Sequence, residues 1–468
     1  MTQEGQNRTD ESTSPLIHSD EPGQHGGEAR SGHGSGAEKE NSCEHPLFSK
    51  ILESENLREA WRRVRANKGA PGIDGVAIRD FPEFYRKHWE TIRAKLEDGS
   101  YQPAPVKRVY IPKPDGSRRA LGIPTVLDRL IQQAIAQVLT PIYEPTFSDY
   151  SYGFRPGRKA HDAVEELQKE GKWYRKRNHV IDCDLRSFFD TVDHKKMMDR
   201  LRQRIGDSRV LKLIYRFLKA GVILPTGTYE ETAKGVPQGG PLSPLMSNIL
   251  LDELDHELEA RRHRFVRYAD DFIILCGSPR AGRRIMASVK SFLQRRMKLV
   301  VNDAKSQVVT LSKASYLGFQ IRRGKIRWSK KSKDRFKATI RTITRRTRGV
   351  SPGRVIEELA LYVRGAFNYF APGITYKESR ELHSWLRRKV RAYYWKQWGR
   401  PRTRRRRLLS LGIGRNEVKL ASRSRKGPWR MSHNTIVQRA MTDRWLSDQG
   451  VPSIREQWIA IRYPNQVT

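Results

Sequence analysis

Residues 264–277 read RFVRYADDFIILCG. Phe265, Val266 and Tyr268 on one side and Phe272 to Cys276 on the other favour strand, yet Asp270 and Asp271 stand side by side between them. Adjacent carboxylates repel each other and lose solvation where strands pack. The stretch reads as two strands turning at a pair of acids, a poor hairpin until a cation compensates the charge. On this stretch alone, a solvated turn and half of a metal site both stay open.

A second acidic stretch lies about 80 residues upstream, HVIDCDLRSFFDTVDH at 179–194. Its strand formers are interrupted by acids at 182, 184, 190 and 193. Residues two apart on a strand share a face, so Asp182 and Asp184 lie together. Nucleotidyl transfer by two metal ions needs carboxylates converging from different strands, with the ions roughly 3.5–4 Å apart on the attacking and leaving oxygens. Mg²⁺ takes one or two carboxylates and fills its shell with phosphates and water. An aspartate on one strand facing an Asp–Asp pair on a hairpin supplies that set. Singly, each stretch also reads as a polar strand end; together they favour metal.

Charge points to the substrate. The 468 residues carry a formal net charge of +39, while residues 1–45 sum to −6, so the remainder carries +45. Such an excess self-repels unless a polyanion neutralises it, and nucleic acid is the first candidate. A ribosome- or membrane-associated basic protein is the alternative on charge alone. The three cysteines, Cys43, Cys183 and Cys276, form no CxxC pair, which argues for a reducing compartment and against zinc. No apolar run approaches the roughly 18–20 residues of a membrane span, and no signal-peptide pattern is present. A soluble protein of the bacterial cytoplasm or nucleoid, with no membrane partner, is expected.

The chain divides by composition. Residues 1–45 are poor in apolar side chains and rich in Gly, Ser, Glu and His, an acidic tail expected to be disordered. Residues 46–320 alternate helical and strand patterns, including VLDRLIQQAIAQVLTPIY at 126–143. Residues 321–410 are basic and helical, with thirteen Lys and Arg against one acid over 321–350. Residues 411–468 form a basic C-terminal region. No internal repeat at a fixed period points to a solenoid.

These motifs carry a family resemblance. YADD (Tyr268–Asp271) resembles the Y-x-D-D signature of reverse transcriptases, and DLRSFFD resembles their other metal motif, an aspartate followed five residues later by an aromatic. The resemblance implies Asp184, Asp270 and Asp271 as catalytic metal ligands, Asp182 as a supporting acid, and Phe189 as the ring that excludes a 2′-hydroxyl. GVPQGGPLSPLMSNILLDELD (235–255) is similar to the family's nucleotide-contacting loop, centred on Gln238 and Gly239. VYIPKPDGSRRALGIP (109–124) reads as a hairpin turning at Asp115–Gly116, and by resemblance Lys113 and Arg119 clamp the incoming triphosphate. Lys305, in LVVNDAKSQVV, is implied near that triphosphate too. Tyr268 is implied under the primer terminus, and Leu317, Gly318 and Phe319 of SYLGFQI in a primer-gripping hairpin.

The extensions narrow the family. NKGAPGIDGV (67–76), SYGFRPGRKAHDAV (151–164) and the aromatic, basic LYVRGAFNYF and LHSWLRRKVRAYYWKQW resemble group II intron-encoded reverse transcriptase/maturases. The implied fold is α+β: a right-hand polymerase with fingers and an antiparallel palm sheet over 46–320, then an α-helical thumb over 321–410. The thumb aromatics are expected mostly in the core. Arg387, Arg388, Arg391 and the run Arg404, Arg405, Arg406 and Arg407 are expected to face RNA. Implied partners are intron RNA, target DNA with a primer strand, and dNTPs. The implied cofactor is two Mg²⁺, with Mn²⁺ as a substitute. Residues 411–468 hold no cysteine and one histidine, His433. They are therefore expected to lack an HNH endonuclease and to form a small DNA-binding appendage or a cap on the thumb. A splicing-only RNA-binding maturase and another kind of bacterial reverse transcriptase are the competing readings.

Overall fold

The computed structural model describes residues 46–112, 116, 118–173 and 178–464. The expected disordered tail, Lys113 and Asp115 of the expected turn lie outside these residues.

The N-terminal helices α1 (Pro46–Leu52), α2 (Ser54–Ala66) and α3 (Phe81–Glu97) lead to strands β1 (Val106–Pro112) and β2 (Arg118–Ile123). Helix α4 (Val126–Tyr143) follows and coincides with the apolar segment read from the sequence. It starts where the Thr125 hydroxyl accepts the Asp128 amide, an N-cap that satisfies an otherwise orphaned donor. Then come α5 (Ala160–Trp173), β3 (His179–Cys183), α6 (Phe188–Thr191), α7 (His194–Arg202), α8 (Ser208–Lys219), β4 (Val222–Ile223) and β5 (Tyr229–Glu230). Helix α9 (Ser243–Ala260) precedes the hairpin of β6 (Phe265–Tyr268) and β7 (Asp271–Cys276). Helix α10 (Pro279–Phe292), β8 (Gln307–Thr310), β9 (Phe319–Arg322) and β10 (Lys325–Trp328) close this part.

Four strands pair antiparallel in the order β6-β7-β3-β8 to form the palm sheet. Strand alternation sends Ile181, Cys183, Phe272 and Ile274 into the large core shared with α4 and α9. Val180, Val266, Ile273 and Leu275 enter a smaller core with Leu167, Phe319 and Ile321. Asp182 and Asp184 are in phase with Val180, so the acids occupy the small-core face where it opens. The fingers sheet runs β2-β1-β4-β5, its hairpin pairing Lys107 with Ile123 through Pro112 with Arg118.

The thumb helices are α11 (Lys330–Ile343), α12 (Pro352–Phe370) and α13 (Tyr376–Gln397). Helix α13 begins in a capping box: Thr375 caps the Glu378 amide and Glu378 reaches back to the Thr375 amide. Beyond them lie α14 (Pro401–Ser410), α15 (Arg415–Ser422), α16 (Pro428–Met431), α17 (Thr435–Ala440), α18 (Asp443–Asp448) and α19 (Ile454–Arg462). Two expected boundaries shift. The one at 320 falls inside β9, because Phe319 and Ile321 belong to the small palm core and Trp328 is the first thumb-core residue. The one at 410 vanishes as a core boundary: Trp328, Phe367, Trp395, Val418, Leu446 and Trp458 share one buried cluster. Residues 415–462 therefore pack as part of the thumb.

Candidate active site

The β3–β7 ladder pairs Asp182 with Ile273 and ends with Cys183 against Phe272, leaving Asp184 and Asp271 as the next residue on each strand, near enough for the Asp184 charge to act on Asp271. Tyr268 pairs with Asp271 across a two-residue turn of Ala269 and Asp270. Ala269 takes φ of +58°, the left-handed conformation such tight hairpins demand. Burial, followed by the charges of Asp182, Asp270 and Asp184, pushes the Asp271 carboxyl up to about 8. Burial raises Asp270 as well, with Asp184 adding to it and Arg119 and Arg267 opposing. Asp182 is raised by burial against a hydrogen bond from Gln307. The sheet thus concentrates negative charge that side chains alone do not neutralise.

Hard carboxylate oxygens are the donors that magnesium and manganese prefer. Among the described residues, no three His, Cys, Asp or Glu side chains form a group that could hold a metal ion by themselves.

The turn is hung on helix α9. Arg267, fully buried, grips fully buried Asp255 through Nε at 2.8 and 3.0 Å and Nη2 at 2.5 Å. Its Nη1 donates to the Ala269 carbonyl and to Asn248 Oδ1, each at 3.0 Å. Asn248 Nδ2 donates to the Gly153 carbonyl at 2.8 Å. Gly153 presses so closely on the turn that a Cβ there would collide with the Ala269 amide nitrogen. Sequence reading missed this support, since Arg267 looks like an ordinary polar strand residue and Asp255 like the end of the PQGG segment.

Gln238 and Arg119 meet, Arg119 Nε donating to Gln238 Oε1 at 3.1 Å. The Gly122 amide donates to the Gln238 carbonyl at 2.8 Å. Gly239, at φ +123°, lies so near Gly122 that a Cβ would strike the Gly122 carbonyl oxygen. The glycines thus let fingers strand β2 touch the palm loop. Phe189 is mostly buried, its ring edge-on to Phe188 at 5.2 Å, yet it lines a cleft of about 510 Å³ with Arg119, Gln238, Gly239 and Asp270. Lys305 Nζ lies 3.7 Å from Asp184 Oδ2, and Asn302 Nδ2 lies 3.4 Å from Asp184 Oδ1.

Other expected contacts resolve differently. Phe319 is buried against His161, Tyr369 and Phe370, so its ring fills core and is not free to touch a primer. Leu317 and Gly318 are only half-buried, both at positive φ, with the Leu317 carbonyl accepting the Tyr369 hydroxyl at 2.9 Å. Arg387 is buried; it donates to the Asp443 carbonyl at 2.8 Å and lies 3.3 Å from that carboxylate. Arg391 pairs with Asp443 at 3.0 Å, and Arg388 stacks on Trp429 at 3.8 Å. Arg387 and Arg391 tie α13 to the C-terminal helices, which corrects the expectation that these two face RNA: helical period gives a face, not its partner; Arg388 stays half-buried on Trp429. Arg404 stacks on Trp395 at 4.9 Å, whereas Arg405, Arg406 and Arg407 are exposed. As expected, Phe367, Tyr394, Trp395 and Trp398 are buried.

The unpaired thumb cations lie elsewhere. Arg341, Arg345, Arg346 and Lys389 line a cavity of about 410 Å³ with Trp429, and no carboxylate lines it. Among the described residues, none of the four makes an ion pair. Burial, then Arg341, Arg346 and Arg388, pulls the Lys389 ammonium down from its ordinary value.

A palm sheet carrying these acids and a fingers hairpin docked on a glycine loop define a reverse transcriptase, an RNA-directed DNA polymerase. The family description "Reverse transcriptase (RNA-dependent DNA polymerase)" matches residues 111–321, and "Group II intron, maturase-specific domain" matches residues 333–412. Protein YkfC of Escherichia coli (strain K12) is 35% identical over 306 residues, covering 56% of this chain and 78% of that protein. Group II intron-encoded protein LtrA of Lactococcus lactis subsp. cremoris is 31% identical over 345 residues, 59% of this chain and 56% of its own length. A solved chain of a partial Cas6-RT-Cas1–Cas2 complex aligns at 25% identity and a TM-score of 0.34, over 53% of this chain and 42% of that one. The chain belongs to the group II intron-encoded reverse transcriptase/maturase family.

Proposed function

We propose that this protein binds its group II intron RNA, assists the splicing of that RNA, and copies it into DNA at a target site. The observation that carries the polymerase reading is the β3–β7 register, which ends at Cys183 against Phe272 and leaves Asp184 and Asp271 as the next residue on each strand, with Asp270 at the turn beside Asp271. Two Mg²⁺ ions, with Mn²⁺ as a substitute, are the proposed cofactor, held by Asp184 and Asp270 with Asp271 as a ligand or near-ligand. Bound there, they supply Lewis-acid stabilisation of the attacking and leaving oxygens.

The chain's own side chains do the rest. Arg119 and Gln238 orient the incoming deoxynucleotide, and Arg119 adds positive charge for its phosphates. Phe189 walls the cleft where a 2′-hydroxyl would intrude. Lys305, beside Asp184, offers an ammonium to the departing pyrophosphate. Tyr268 supports the primer end of the target DNA. The uncompensated cations around Trp429 and the exposed Arg405 to Arg407 form the proposed RNA-binding faces. The C-terminal helices extend that thumb surface towards target DNA. The bacterial cytoplasm or nucleoid is the proposed location.

A splicing-only protein has no need to keep three acids on one open sheet face, and the maturase-specific match disfavours other bacterial reverse transcriptases. The test is splicing of the flanking intron RNA at limiting Mg²⁺, with wild-type protein and with Asp184→Asn. Both should accelerate splicing, because the RNA-binding faces are separate from the acids. Failure of both would remove the maturase half of the reading.

A further inference from the structure

Phe154 holds a backbone conformation that few phenylalanines adopt. Its φ is +59°, in the left-handed region where a bulky L-residue is an outlier. Its neighbour explains why the chain bends there: Gly153 is pinned against the catalytic turn and hydrogen-bonded to Asn248. Nothing in that bend calls for an aromatic ring, since glycine or asparagine takes this conformation with less strain.

Nor does the ring fill core. Phe154 is 54% exposed. Its ring lies 6.3 Å from that of Tyr268, centroid to centroid, at an interplanar angle of 42°. It lines the same cleft as Phe189, Gln238, Gly239 and Asp270. Strain and exposure both weigh against the folded state, and backbone strain of this kind persists chiefly at ligand clamps and active sites. A planar, apolar ligand face in the cleft would repay both.

We propose that Phe154 is an aromatic subsite for the nascent base pair. Beside Tyr268 at the primer end, its exposed ring offers a face on which the templating base and the incoming deoxynucleotide stack before the bond forms. Aromatic stacking tolerates all four bases because each has a π-face, which a polymerase copying any template requires. The inference rests on the polymerase reading above and adds a base-stacking residue to it.

The test compares wild type with Phe154→Gly, Phe154→Leu and Phe154→Tyr in single-nucleotide incorporation on an RNA template with a DNA primer, alongside melting temperature. Phe154→Gly should raise KM for dNTP by about 10-fold or more, while its melting temperature equals or exceeds that of wild type because strain is relieved. Phe154→Leu should fall between the two, and Phe154→Tyr should restore the wild-type KM. A second readout needs no catalysis: 2-aminopurine at the templating position should be quenched on binding wild type and stay bright with Phe154→Gly. An unchanged KM in Phe154→Gly overturns the proposal. So does a loss of activity that tracks a fallen melting temperature, since that marks a packing role. If wild type itself incorporates nothing, the polymerase reading fails instead, and the 2-aminopurine signal still judges the stacking.

Discussion

Arg267 and Asp255 form a multiply bonded ion pair with both side chains sealed from solvent, and the same guanidinium holds the Ala269 carbonyl inside the catalytic turn. A buried charge pair is a weak source of net stability, but an orphaned partner is costly. The pair therefore acts as a fixed post from which Asp270 and Asp271 hang.

Asp255→Ala leaves the arginine buried and uncompensated, which should cost about 3–5 kcal/mol. Asn248→Ala removes the bridge to Gly153 and one of the two acceptors of Arg267 Nη1, and should cost about 1–3 kcal/mol. Urea denaturation gives both values. In Asn248→Ala, kcat should fall more than KM for dNTP rises, because the turn loses its anchor while the nucleotide loop is untouched. Asp255→Ala within about 1 kcal/mol of wild type would show that the network carries no load.

The thumb arginines separate into two kinds. Arg345→Gln with Arg346→Gln should weaken binding to structured RNA and flatten the slope of log K against log salt by about 0.7–0.9 for each phosphate no longer neutralised. The melting temperature should hold, since neither arginine has an ion-pair partner among the described residues. Arg387→Gln should do the reverse, lowering the melting temperature by breaking its bonds to Asp443 and leaving the salt slope alone. Filter binding across a salt series checks both, and identical slopes for all variants would mean that the pocket is merely solvated.

Asp128 gives a pH dependence. Burial raises its carboxyl from 3.8 to about 6, against hydrogen bonds from Thr125, Tyr101 and Ala104. Between those values the folded chain holds a proton that the unfolded chain has released, so this group's contribution is full below about pH 4 and is lost as pH rises through about 6. The swing is about 3 kcal/mol at most. Asp128→Asn cannot titrate, so wild type should lose stability relative to the variant from about pH 4 to about pH 7. A difference that is flat, or that grows with pH, contradicts the assignment.

The acid pair between two apolar runs was legible because charge intruding on strand former is locally costly, and β6 and β7 lie where that cost predicted them. Helix α4 was legible from its apolar pattern over 126–143. What escaped was long-range. Arg387 and Arg391 sit on α13 at positions that read as outward, yet Asp443, some fifty residues on, claims both. Phe319 satisfied a motif and a core position at once, and the core has it. Gly153 and Phe154 resembled a family segment whose contact with the catalytic turn no local pattern reveals. The boundary expected at 410 marked a change in composition, but one thumb core spans it.

The central claim is that Asp184, Asp270 and Asp271 together carry RNA-templated DNA synthesis. The direct measurement is extension of a DNA primer on an RNA template with Mg²⁺, wild type against Asp270→Asn, with intron RNA binding followed in parallel. Wild type should produce full-length cDNA and the variant none, with RNA affinity unchanged in the variant. Full-length cDNA from Asp270→Asn would contradict the site, and no cDNA from wild type would contradict the polymerase itself.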